Sequence, residues 1–275
     1  MRKFPVLLIV SAYLFTQPVY VQSQSFYSSY NDSDAYSVLD AYYLGRTVAA
    51  NILSYYKPYT GNPEATRYLN NICQALAINS SRPPAYNGYH VMILDSNEIN
   101  AFASPGGHIF ITKKLIEITT SEDMLAAVIA HELSHVMLRH SIAIIEDTKF
   151  EREMSSLADW AAGAAAKNSE KAVQFTAFRG SVTKIVDTLL INGYSQQQEF
   201  DADREAITLL LKTGYNPSAL MDMLKILQQI QGFQRIGLFS THPAPALRIA
   251  NIQGLLYKTT NTTQYRTERF KALKW

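Results

Sequence analysis

His131, Glu132 and His135, in the stretch HELSH, set two imidazoles four positions apart with a carboxylate directly after the first. On an α-helix such positions lie about 40° apart around the axis, so both rings project side by side. Two neutral imidazoles placed that way can share a Zn²⁺ at about 2.0–2.1 Å. Glu132 is angled off the direct line to the metal, where it can take a proton from an activated water. The same spacing also fits an ordinary amphipathic helix with incidental histidines, since His140 follows on the same run. Helical extrapolation turns His140 about 180° from His131, away from any shared metal.

A catalytic zinc keeps three protein ligands and an open position, so a third ligand must come from elsewhere. The run EFDADREA offers Glu199 and Asp203, again four apart and on one helical face. In that arrangement Glu199 would bind the metal, and Asp203 would accept the free N–H of a ligand histidine and fix its tautomer. Asp201 and Glu205 are equally acidic. Spacing alone does not choose among the four, and a solvated acidic face would look the same.

The elements that must carry these residues are legible. SEDMLAAVIAHELSHVMLRHS reads as one long helix, with Ser121 as cap and Glu122 and Asp123 at its positive end. SQQQEFDADREAITLLLKTG reads as a second helix, stopped by Gly214. Upstream, HVMILDS and HIFIT are short β-rich runs that should be neighbouring strands. Further helices are expected over residues 34–57, after Asn62–Pro63, through the alanine-rich 150–190 and from Pro217, with a last one after the proline-punctuated STHPAPALRI. The fold class is therefore α+β, mainly α, with a small sheet.

Composition narrows the function. With 275 residues, 47% hydrophobic residues and a net charge of +2, the chain suits one globular catalytic domain. It carries no basic stripe, which argues against nucleic acid as a partner. A single cysteine, Cys73, excludes an internal disulfide scaffold. MRK followed by FPVLLIVSAYLF has the form of an export signal over residues 1–23, leaving a domain over 24–275. An uncleaved anchor is the alternative, although Gln17 and Pro18 interrupt the run short of the roughly 20 apolar residues of a spanning helix. Either way the body is expected to be exported, to a periplasm or another extracytoplasmic space. The mature chain should then have no transmembrane segment; peripheral membrane association stays open.

HELSH followed downstream by EFDAD resembles the M48 family of zinc metallopeptidases, whose pattern is H-E-x-x-H then E-x-x-x-D. NAFASPGGHIFITKKLIE is similar to that family's Asn-Ala strand and Pro-Gly-Gly turn, and THPAPALRI to its His-Pro and Arg segment. The resemblance implies a zincin-like metallopeptidase domain holding one Zn²⁺ per chain. It implies His131, His135 and Glu199 as ligands, Glu132 as general base, and Asp203 as the partner of a ligand histidine. It also brings His242 and Arg248 near the zinc as candidate donors to a developing oxyanion, with His242 alternatively able to block the open position. The strand at Asn100, Ala101 and Phe102 is expected to hold an extended substrate through its backbone.

The function so implied is a zinc endopeptidase hydrolysing peptide bonds of exported, unfolded or misassembled proteins, in envelope quality control. A second class is a chaperone-like assembly factor with a regulatory or largely latent zinc site. An intact Glu132 favours the enzyme, because a purely structural site needs no base there.

Overall fold

The computed structural model describes residues 38–82, 84–146, 180, 182–230, 238–242, 245–256 and 264–273. The expected signal over 1–23 and most of the alanine-rich 150–190 lie outside them. In chain order the elements are α1 (Val38–Tyr55), α2 (Pro63–Ile78), β1 (His90–Leu94), β2 (Ala101–Ser104), β3 (His108–Thr112), α3 (Lys113–Ile118), α4 (Glu122–Met137), α5 (His140–Glu146), a π-helical turn (Thr188–Asn192), α6 (Gln196–Thr213), α7 (Ser218–Ile230), α8 (Leu238–Thr241), α9 (Pro245–Ile252) and α10 (Gln264–Ala272). The described residues are mainly helical around one three-stranded sheet. No helix among the described residues is long and apolar enough to cross a membrane.

The two β-rich runs are indeed neighbours: β1 and β3 pair in parallel, from His90↔His108 to Leu94↔Thr112. The stretch between them forms a strand of its own, β2, antiparallel to β3 on its far side. Side-chain alternation divides the core in two. Val91, Ile93, Ala101, Ala103, Ile109 and Ile111 point into the larger cluster, with α2, α4, α6 and α7. Phe102, Phe110 and Leu94 point into the smaller one, with α1 and residues 182–194.

The two edges of the sheet differ. Outward groups of β1 are taken: Asn70 donates Nδ2–H to the Val91 carbonyl (2.8 Å) and accepts from the Val91 N–H (2.9 Å). Gln74 Nε2 donates to Tyr89 O, and the Tyr59 N–H to Ile93 O. On β2, the Thr112 N–H bonds Asn100 O. Antiparallel alternation therefore turns Phe102 and Ser104 toward β3 and Ala101 and Ala103 outward. Leu238 N–H donates to Ile99 O at the start of that edge. Among the described residues nothing bonds the outward groups of Ala101 and Ala103.

The β2–β3 turn, Ser104-Pro105-Gly106-Gly107, needs glycine for conformation at Gly106, where φ is +79°. It presses on α1 so closely that a Cβ on Gly45 would stand 1.5 Å from Pro105 O.

α4 is buried on nearly every side, as its alanine-rich and aliphatic sequence requires. Its N-terminus is fixed by a polar cluster. Ser121 caps it by accepting from the Met124 N–H. Glu122 accepts from Tyr68 Oη (2.6 Å), Tyr215 Oη (3.0 Å) and Arg269, while Asp123 accepts from the Asn216 N–H and Arg266. Both arginines belong to α10, a helix with no buried residue and one that the sequence pattern did not signal.

Candidate metal centre

Two helices bring the chemistry together. α4 presents His131 and His135 one turn apart, and α6, its most extensive helical neighbour, presents Glu199 and Asp203 one turn apart. α6 starts sharply: Ser195 and Gln198 form a reciprocal capping box, which sets Glu199 in the first turn where the helix dipole favours an anion. α8 and its flanks deliver His242. Leu238 is tied to Ile99, the Tyr194 N–H donates to Thr241 O, and the His242 N–H donates to Leu238 O. α9 supplies Arg248.

Four side chains, His131, His135, Glu199 and His242, are buried and aim one ligand atom each at a common point, all within 4.8 Å of one another. His131 Nε2 lies 3.1 Å from His135 Nε2 and 3.3 Å from His242 Nδ1. Glu199 Oε1 lies 3.3 Å from His135 Nε2 and 2.9 Å from His242 Nδ1, and Oε2 is 3.5 Å from His131 Nε2. A tetrahedron with the bond lengths of a zinc site has edges of about 3.3–3.4 Å. These separations scatter around that edge. The donor set, three imidazole nitrogens and a carboxylate, fits a divalent cation of the zinc type.

Around this shell, Asp203 Oδ1 stands 3.0 Å from His131 Nδ1. Arg248 spans both acids: Nε donates to Asp203 Oδ2 (2.8 Å), Nη2 to Asp203 Oδ1 (2.6 Å), and Nη1 lies 2.9 Å from Glu199 Oε2. That last approach lacks hydrogen-bond alignment, and Glu199 Oε2 keeps no aligned partner. Arg248 thus bridges the two carboxylates and also lines a recess next to Glu132 and His242. Glu132 is 1% exposed, its Oε2 is unpartnered, and its Oε1 is 3.6 Å from His242 Nε2, beyond hydrogen-bond reach. Asn100 is buried beside Ala101 and Phe102 at the start of β2, and its Oδ1 has no partner.

Electrostatics follow the geometry. Burial alone would raise the Glu199 pKa, but His242, Arg248 and the hydrogen bonds of His131 and His135 hold it well below the ordinary range. Asp203 is likewise held down, burial being outweighed by Arg248 and His131. Burial raises Glu132, with His242 and His131 opposing. His131 is pushed up to about 9: burial and Arg248 lower it, and hydrogen bonds to Asp203 and Glu199 prevail. Burial drives His135 well below its usual value.

Three residues around His135 were not legible as a group. His140 does not point away, because α4 ends at Met137 and Arg139 takes a left-handed φ of +57°. The chain swings round, α5 begins, and His140 Nδ1 comes to 2.9 Å from His135 Nδ1. Extrapolating one continuous helix fails at that break. Tyr194, delivered by the π-helical turn, stacks on His135 with ring centroids 4.0 Å apart, and its hydroxyl meets Ser141 Oγ at 2.6 Å. A π-turn beside a helix cap is the kind of irregularity that gathers at functional sites, yet no sequence pattern announces it.

The family model described as Peptidase family M48 matches residues 63–256, a span that runs from α2 past Arg248. The chain belongs to peptidase family M48. The resemblance carried by HELSH, EFDAD and THPAPALRI thus holds over most of this M48 chain. Among its relatives, "Beta-barrel assembly-enhancing protease" of Escherichia coli (strain K12) is 30% identical over 198 residues, 70% of this chain and 39% of that protein. "Metalloprotease LoiP" of the same strain is 27% identical over 195 residues, 70% of this chain and 71% of the relative. "Mitochondrial metalloendopeptidase OMA1" of Schizosaccharomyces pombe is 28% identical over 156 residues, 56% of this chain and 42% of the relative. This M48 chain therefore spans about two-fifths of the length of the assembly-enhancing proteases it matches.

Proposed function

We propose that this M48 chain is a zinc endopeptidase acting on exported, unfolded or misassembled proteins, with residues 1–23 as its export signal and an extracytoplasmic or periplasmic place of work. The convergence of His131, His135 and Glu199 on one point, with the unpartnered Oε2 of Glu132 beside it, carries this reading. Membership of a peptidase family and relatives named as an assembly-enhancing protease and a metalloprotease support it. One zinc per chain would be held by the three ligands, with Asp203 fixing the His131 tautomer through its Nδ1–H.

A zinc ion held by these residues would supply Lewis acidity toward a peptide carbonyl and lower the pKa of water toward about 7. Glu132 takes the water proton and returns it to the leaving amine, a role suited to a buried carboxylate whose basicity burial has strengthened. Once uncovered, the edge of β2 would orient an extended substrate through the outward groups of Ala101 and Ala103, which are buried and have no partner among the described residues. Beside it, Leu115, Val128, Leu220, Met223 and Leu227 form an apolar recess reaching Glu132 and His242. Only about 30 Å³ of it is free, room for water and not for a side chain. Substrate entry therefore requires this part to open.

The fourth corner favours a resting state. His242 Nδ1 stands where a catalytic site keeps its vacancy, 2.9 Å from Glu199 and 3.3 Å from His131. In the proposed cycle His242 withdraws before substrate binds. His242→Ala should then raise casein cleavage; a fall of tenfold or more would make it an oxyanion donor instead. Glu132→Gln should keep zinc and lose casein cleavage. Equal activity of that variant and its parent would overturn the mechanism and leave the assembly-factor reading in its place.

A further inference from the structure

We propose that His140 is a positioning residue for the metal: its Nδ1 accepts the Nδ1–H of His135 and so sets the tautomer that offers His135 Nε2 to the cation. The inference rests on the zinc reading above. His135 Nε2 is the nitrogen that faces His131 Nε2 and Glu199 Oε1. To bind there it must be bare, so the ring proton belongs on Nδ1. A buried N–H needs an acceptor, and ligand histidines ordinarily find a carboxylate, a carbonyl or water. His135 finds another imidazole, His140 Nδ1 at 2.9 Å. Two ring nitrogens at that distance require one proton between them, so His140 Nδ1 is bare and its own proton sits on Nε2.

The arrangement is built, not incidental. The left-handed Arg139 turns the chain, and Gln198, one residue before Glu199, reaches the His140 carbonyl with its Nε2. The next residue, Ser141, holds the Tyr194 hydroxyl, and the Tyr194 ring lies 17° from parallel on the His135 face. One dipeptide thus fixes His135 at its edge directly and at its face through Tyr194. The two histidine ligands are consequently unequal. His131 backs onto the Asp203 carboxylate at 3.0 Å, an anion that strengthens its basicity. His135 backs onto a neutral ring and is the weaker donor.

The test is zinc affinity, measured on the full chain by competition with a chromophoric chelator, with the Co²⁺-loaded absorption spectrum as a second readout. His140→Leu removes the acceptor and should loosen zinc by about 10–100-fold. In His140→Asn the amide oxygen takes the place of Nδ1 and should keep affinity within about threefold of the parent. His140→Asp installs a carboxylate and should tighten binding. The Co²⁺ spectrum should change in His140→Leu and be restored in His140→Asn. Parental affinity in His140→Leu would overturn the inference alone. So would equal loss in His140→Leu and His140→Asn with matching falls in metal-free melting temperature, which would mark a structural role. Absence of zinc binding by the parent chain would instead overturn the zinc reading, and this inference with it.

Discussion

Arg269→Ala should unfasten the start of α4 and destabilise the protein measurably. Glu122 is 1% exposed and receives Arg269, Tyr68 and Tyr215 together. Among the described residues, removing Arg269 leaves the buried carboxylate with its two tyrosine side-chain donors. A hydrogen bond to a charged group contributes about 1.5–3 kcal/mol. The Arg269 side chain is 52% exposed, so solvent screening puts the loss toward the lower end, about 2 kcal/mol. For a domain of this size that is a fall of about 4–8 °C in melting temperature, read by circular dichroism. The pH dependence carries the sign. Burial tends to raise the Glu122 pKa, but Arg269 and the tyrosine hydroxyls more than reverse it, so the folded pKa lies below the ordinary carboxylate value. The clamp's contribution is then present in full above the unfolded pKa of about 4.3 and is lost as pH falls through the folded one. The gap between parent and Arg269→Ala should be widest at pH 7 and close in strong acid. In a double-mutant cycle with Glu122→Gln, the two changes should couple by about 1 kcal/mol or more. Melting temperatures within about 1 °C at pH 7, or a gap unchanged down to pH 3, would refute the reasoning.

Two further outcomes follow from geometry already described. Gly45→Ala drives a Cβ into Pro105 O at 1.5 Å and should cost about 3 kcal/mol, whereas Gly254→Ala, with nothing within 4 Å, should be near neutral. Thermal melts of the pair test whether α1 seats the β2–β3 turn. Zinc uptake at pH 7 should release about one proton, because His131, raised to about 9 in the metal-free chain, must give up its charge to bind. Calorimetry in buffers of different ionisation enthalpy reads that number, and affinity should rise with pH until His131 has titrated.

Local periodicity carried much of the site. The four-residue spacings of His131 with His135 and of Glu199 with Asp203 are helical facts, and the caps at Ser121 and Gly214 bound the two helices as expected. Choosing among the acids was beyond periodicity, because it depends on which face of α6 meets α4. Asp201 turns outward to Gln197 and Arg204, and Glu205 to Arg82, while Glu199 and Asp203 are buried. His140 was misplaced because a non-glycine residue in the left-handed region ended the helix where composition continued it. α10 escaped because its hold is largely polar: a helix fastened by Arg266 and Arg269, with Phe270 as its apolar contact to the core, shows no apolar period. The seat of His242 rests on contacts between distant segments, Leu238 with Ile99 and Thr241 with Tyr194, which no window of sequence contains.

The unlike edges of the small sheet give it a direction of growth. At β1, side-chain amides of Asn70 and Gln74 stand in for the strand that would otherwise add there. An incoming chain meets a finished border on that side, which also guards the protein against pairing edge to edge with its own copies. At β2, beside Glu132, the outward groups of Ala101 and Ala103 have no partner among the described residues, yet both residues are buried. On the proposed reading, a peptide extending this sheet would do so as a fourth strand on the β2 side, next to the metal-binding cluster, after that buried edge is uncovered.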